Sequence, residues 1–429
     1  MKKIFKVEYL IGIILMSFLF PIQIPVTFTG MGILTIYFAV ILYIFPALLF
    51  LYKLFKHKLW KEKIVITYLG ICIWYLFLFI YRFATKQYFY HSLEMAFWVI
   101  VPVSFFILLI FDELDYLKTI KSLFYAISFV NVYLFIYHVF IIKQLRSSML
   151  GNINIVVFFC IISIFISSYY YLNLSTQKID SFLYVFNMFY SLFAVLLSGS
   201  RAGVLVGVSS FLLLAIYYIR NKKFRKSIFI TILLTAVVIS YFVSTNIYGS
   251  RFYLARGFNY STIGTSISES KNFAVDDNIG ESTLIQDAIK KANQNGDTEV
   301  VQVLNDMGRI FMWKSAVNEI KKSPLIGTGL IGIYKTAEGS QTAHNFLLEY
   351  WLAFGGIGVL IWIIFIVQIL ILIYKKTSRN RAYFFYILLV LFSAAAFSFV
   401  EPTLSSAVGP FIVWCSLGVL VSSVSKSNT

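Results

Sequence analysis

Charge is scarce in this sequence, and negative charge is scarcest. Acidic residues number 19 against 36 lysines and arginines, and charged residues of both signs make up only 13% of the 429-residue chain. A water-soluble protein of this length exposes far more charge, so a soluble enzyme or soluble binding module is excluded. Cysteine is rarer still. Cys72, Cys160 and Cys415 each fall inside an apolar run, where they read as small core residues. No disulfide framework or thiolate metal site follows from them. Histidine occurs four times, which narrows the search for acid–base chemistry.

What the chain has is apolar length. It is 59% hydrophobic with a mean hydropathy of +0.82. Twelve runs are long enough to cross a bilayer, at about 9–29, 31–52, 64–80, 92–111, 119–142, 153–173, 182–199, 202–219, 227–245, 350–373, 382–400 and 406–424. The start, MKKIFK followed by apolar residues, resembles a signal peptide, but no small-x-small site precedes Gly30. It reads as a retained first helix. The expected fold is an all-α polytopic membrane protein of about twelve transmembrane helices.

The formal charge of +17 is not a nucleic-acid signature in so apolar a chain; the positive-inside rule accounts for it. With the amino terminus inside, 21 of the 36 lysines and arginines fall on cytoplasmic segments, including KLFKHKLWKEK at 53–63 and RNKKFRK at 220–226. Short outer loops carry five: Arg82, Lys86, Lys143, Arg146 and Arg201. The other ten lie in segment 246–343, balanced by ten acids. Both termini are therefore expected inside. Helices 1–9 occupy 1–245, a large extracytoplasmic loop 246–343, and helices 10–12 occupy 344–429.

The first part of that loop, NYSTIGTSISESKNFAVDDNIGES, is polar and reads as irregular. A short helix is expected in ESTLIQDAIKKANQNG and a second in NDMGRIFMWKSAVNEIKKSP. Asn305 or Asp306 would cap the second, lysines fill its last turn and Pro324 follows its end. Arg309, Trp313 and Ala316 share one of its faces. GTGLIG at 327–332 matches a dinucleotide fingerprint literally, but neither a preceding strand nor a βαβ unit surrounds it. Its glycines are expected to bend the chain near the membrane surface.

Outward cations in an apolar protein point to an anionic ligand at the outer interface. Arg201 sits in SGSRAGVLVG between two apolar runs, with no acid beside it. Guanidinium suits a diphosphate because its planar fork binds bidentately and stays charged. The small neighbours Ser198, Gly199, Ser200, Ala202 and Gly203 leave room for a bulky ligand. The competing reading is a snorkelling anchor. His344, in TAHNFLLEY where the loop re-enters the membrane, can take a proton from a sugar hydroxyl. The competing reading there is a helix cap or packing residue. His91 and Glu94, at i and i+3, lack a third metal ligand.

SGSRAG after a span, GRIFMWKSA with PLIGTG downstream, and AHNFLLEYWLAFGGIG together resemble the bacterial O-antigen ligase and polymerase superfamily of membrane glycosyltransferases. The resemblance runs from about residue 180 to the end, with the amino-terminal half agreeing through topology alone. It implies an inverting, metal-independent glycosyltransferase without a cofactor, acting at the outer leaflet of the bacterial plasma membrane. The implied donor is a polyprenyl-diphosphate-linked oligosaccharide and the acceptor another glycan. The resemblance assigns Arg201 and Arg309 to the diphosphate and His344 to the acceptor hydroxyl, with Ser200 and Asn345 completing the binding set. Two departures stand out: Ala202 separates Arg201 from Gly203, where the family often has S-R-G, and the loop's first half is unusually polar.

Polymerase of surface polysaccharide and ligase to a lipid A-core acceptor share these motifs. The Lys-, Ile- and Phe-rich composition tilts the choice to polymerase, with a repeat-unit flippase and a chain-length regulator as companion proteins. A lipid-linked oligosaccharide transporter is the alternative of another class. It fits less well, because transporters commonly show repeats and charged groups at mid-membrane.

Overall fold

The computed structural model describes residues 13–14, 23–28, 32–85, 90–111, 116–136, 153–174, 177–197, 200–221, 231, 235, 312–329, 332–336, 339–343, 345–377, 381–400 and 408–424. Helix dominates them. A backbone in hydrocarbon must satisfy its own N–H and C=O groups, and a helix does so within one segment. The helices are α1 (Phe38–Lys56), α2 (Lys63–Ala84), α3 (Tyr90–Phe111), α4 (Tyr116–Ile136), α5 (Ile153–Asn173), α6 (Lys178–Leu197) and α7 (Arg201–Arg220). They continue as α8 (312–322), α9 (Phe346–Thr377), α10 (Arg381–Val400) and α11 (Val408–Val424). Six stretches of these helices are long and apolar enough to cross a membrane, and three shorter apolar helices accompany them. The chain is a multi-pass membrane protein.

One expectation needs correction here. Residues 23–37 were expected within the first two spans. They form instead an antiparallel hairpin of β1 (Gln23–Phe28) and β2 (Gly32–Tyr37), with Gln23 opposite Tyr37 and Phe28 opposite Gly32. QIPVTF and GILTIY are rich in β-branched residues, and the glycines at 30 and 32 break the helical run between them. A second hairpin, β3 (Gly332–Thr336) with β4 (Gly339–Thr342), occupies the glycine-rich approach to α9. The expected ninth span at 227–245, the polar stretch from 246 and the first loop helix lie outside the described residues, except for helical turns at 231 and 235.

The core is aromatic and layered. α5 is buried on nearly all sides between α4, α6, α10 and α11, with Phe158 against Phe397 at ring centroids 5.1 Å apart and Tyr169 against Tyr386 at 5.3 Å. At mid-depth, α4, α5 and α6 share a polar cluster. Asn187 Nδ2 donates to Ser128 Oγ (2.8 Å) and Ser167 Oγ (3.1 Å), while Asn131 Nδ2 donates to Ser163 Oγ (2.7 Å) and Asn187 Oδ1 (3.1 Å). In lipid such bonds replace the hydrophobic effect as the glue between helices.

α9 is broken at Gly355, which has φ 70°. The turn at 323–329 is inlaid in the break. Gly356 N–H donates to Pro324 O (2.8 Å), Ile357 N–H to Leu325 O (3.2 Å) and Gly329 N–H to Leu352 O (3.0 Å). The indoles of Trp351 and Trp74 donate to Pro324 O and Phe354 O, each at 2.9 Å. Groups released by the broken helix are thus bonded again by the turn, which is how irregular backbone persists beside lipid. A Cβ on Gly355 would overlap the carbonyl of Leu325, so glycine is required.

Candidate functional site at one end of the bundle

α7 begins with a capped turn. Ser200 stands at the N-cap, and its hydroxyl accepts from Gly203 N–H at 3.1 Å. Arg201 is the first residue of the helix; its side chain is outside the described residues. Gly203 lets α7 approach α5 closely, because a Cβ there would overlap the side chain of Val157. The next residue of α5, Phe158, packs on Phe397 near the end of α10.

α9 begins the same way. Asn345 Oδ1 accepts from Leu348 N–H at 3.1 Å, and its Nδ2 donates to Phe399 O of α10 at 3.3 Å. Only 9% of Asn345 is exposed. Glu349, one turn on, is fully buried in the first turn of α9, where the helix N-terminus favours negative charge. The starts of α7 and α9 therefore lie at the same end of the bundle, linked indirectly through α5 and α10. That end holds Ser200, Asn345 and the backbone of Arg201.

α8 is fastened to the same end. Trp313 Nε1 donates to Ala343 O at 2.9 Å, and Ala316 and Ile320 bury themselves with Ala343 and Leu352. The face expected to carry Trp313 and Ala316 thus lies against the start of α9. The helix closes as its composition suggests, with Lys321 and Lys322 in the last turn, a Lys322–Glu319 ion pair, and Pro324 beyond. Arg309, His344 and the expected caps Asn305 and Asp306 lie outside the described residues.

Arg82 departs from the charge census, which put it in an outer loop. It belongs to the last turn of α2, is 2% exposed, and its Nη2 donates to Ile326 O at 2.9 Å. Sequence reasoning also passed over Trp74 and Glu349. A lone arginine ending an apolar run, and a lone acid in FLLEYWLAF, were the signals available. Of the two candidate metal ligands, His91 and Glu94 both fall in the first two turns of α3, with side chains outside the described residues.

Residues 186–363 match the family model described as O-antigen ligase. The match contains Ser200, Arg201, Arg309, His344 and Asn345, and leaves out Arg82 with helices α1 to α5. No curated protein matches the chain.

Proposed function

We propose a polymerase, from the premise that this chain carries an O-antigen ligase family domain and is a membrane glycosyltransferase of the ligase and polymerase type. Its substrates are glycan repeat units linked to a polyprenyl diphosphate, joined into surface polysaccharide at the outer leaflet. The observation that supports the reading is that the α7 start, the α9 start and α8 lie at one end of the bundle, with α8 seated on the α9 start. Three described pieces far apart in sequence share that end: Ser200 with the backbone of Arg201, the helix 312–322, and Asn345.

Chemically, the acceptor hydroxyl oxygen forms a bond to the anomeric carbon of the donor sugar. The bond from that carbon to the diphosphate oxygen breaks, and its electron pair leaves with the polyprenyl diphosphate. Attack from the opposite face inverts the configuration. His344 takes the hydroxyl proton, and Arg201 and Arg309 stabilise charge as it develops on the leaving diphosphate. Ser200 and Asn345 cap the starts of the two helices, each accepting one N-terminal N–H, and the partial positive charge at such starts favours a nearby anion.

Single alanine variants at Arg201, Arg309 and His344 test the assignment with purified protein and a lipid-linked repeat unit. Each is expected to lower glycosidic-bond formation by about 100-fold or more. Wild-type product from all three variants would sink it. The same assay separates the alternatives. A polymerase makes a ladder from the repeat unit alone, a ligase needs an added lipid A-core acceptor, and a transporter moves labelled donor across vesicles without forming a bond.

A further inference from the structure

The geometry assigns Arg82 a positioning role: from the end of α2 it fixes the turn inlaid in α9, and through that turn the seat of α8. This deepens the reading above and rests on it where it concerns the diphosphate. A guanidinium 2% exposed among apolar helices is costly to hold, and such groups in membrane segments mark places where charge is needed. Its partner is specific. Arg82 Nη2 reaches Ile326 O, 2.9 Å away and 244 residues along the chain.

Ile326 precedes Gly327, whose φ of 72° turns the chain out of helical geometry. A charged donor therefore binds this carbonyl where backbone partners give way, and such bonds are stronger than neutral ones. The turn's ties through Pro324, Leu325 and Gly329 all run to α9. Arg82 adds a tie to a different helix, and Trp74 of that same helix holds Phe354 O on the other side of the break.

The consequence falls on α8. One end of it is held by Trp313 on Ala343 O, and the other runs directly into the turn that Arg82 grips. Arg309 stands four residues before Trp313. A shift of the turn by about 1 Å tilts α8 against the start of α9, and an error of that size at the end assigned above to the donor costs rate although no reacting group is touched.

The test compares Arg82→Met, which keeps length and loses the donor, with Arg82→Lys, which keeps a donor and the charge. Hydrogen exchange in nanodiscs reads the turn directly. Arg82→Met is expected to speed exchange at Gly329, Gly356 and Ile357 by about tenfold while amides of α5 and α6 stay as in wild type. In the transfer assay it is expected to raise KM for the lipid-linked donor by about tenfold, with Arg82→Lys returning it to within about threefold of wild type. Loss of folded protein alone lowers apparent kcat and leaves KM in place. Unchanged exchange at the three amides, or an unchanged KM, overturns the proposal. A wild-type protein that forms no glycosidic bond sinks the functional reading instead, and the exchange comparison then decides whether Arg82 holds the turn.

Discussion

Asn345 splits its side chain between two tasks: Oδ1 caps α9 through Leu348 N–H, and Nδ2 ties the start of α9 to Phe399 O of α10. Substitutions can separate them. Asn345→Asp keeps the cap, loses the tie and adds a charge the helix N-terminus tolerates, whereas Asn345→Ala loses cap and tie together, a cost of about 1 kcal/mol for the cap alone. The alanine variant is expected to melt a few degrees lower in detergent. The aspartate variant, which replaces the Nδ2 donor with a second acceptor facing Phe399 O, is also expected to melt lower than wild type, and to transfer at least tenfold less glycan because a carboxylate repels the incoming diphosphate. Equal activity in the aspartate variant would remove Asn345 from the binding set. At this scale the sequence showed AHN as a motif but could not show the partner of its amide. Phe399 lies 54 residues away, and only helix packing brings its carbonyl within reach. Arg82 was misread for the same reason. Its place at the end of an apolar run looks like a loop cation until Ile326, 244 residues downstream, appears as its partner.

Among the elements, α6 shows how this protein binds helices without water to drive them. Asn187 is fully buried and bonds to Ser128, Ser167 and Asn131 on two neighbouring helices. Replacing it by leucine preserves bulk and removes a bond from each of those partners. Interhelical bonds in bilayers average near 0.6 kcal/mol, so Asn187→Leu is expected to cost about 1–2 kcal/mol. Unfolding in mixed micelles should show this as an earlier transition, while activity per folded molecule stays near wild type. No change in the transition would mean the cluster contributes nothing to association. The described membrane helices from α2 onward were legible, since apolar length and the bilayer leave the backbone few options. The hairpin at 23–37 was not, because short β-branched apolar runs read equally well as helix or strand. The break in α9 had a signal in FGGIG, but adjacent glycines do not say whether a helix bends, ends or opens for an inlaid turn.

For the whole molecule, the two ends of the bundle differ in character. Ser200, Asn345 and Arg82 gather at one end. At the other, Asp180 accepts from Tyr125 at 2.6 Å and Tyr170 at 2.9 Å, beside Lys121 and Lys178. By the positive-inside rule that lysine-bearing end is expected in the cytoplasm. In intact cells, a cysteine at Lys322→Cys is expected to react with an impermeant maleimide, and one at Lys58→Cys to react only after permeabilisation. The opposite pattern would invert the orientation and place the proposed chemistry on the wrong leaflet for its donor. By itself the sequence determined that this is an apolar, multi-pass helical chain, and which short motifs carry its family likeness. Both are local properties, set by composition along a run or by residue order within a few turns. Tertiary structure alone decided that α7 and α9 start at the same end of the bundle, linked through α5 and α10, that α8 is seated on α9, and that a buried arginine grips the inlaid turn. Those facts depend on which helix faces which, and near-uniform hydrophobicity leaves that choice to close glycine contacts and a few buried polar bonds between residues far apart in the chain.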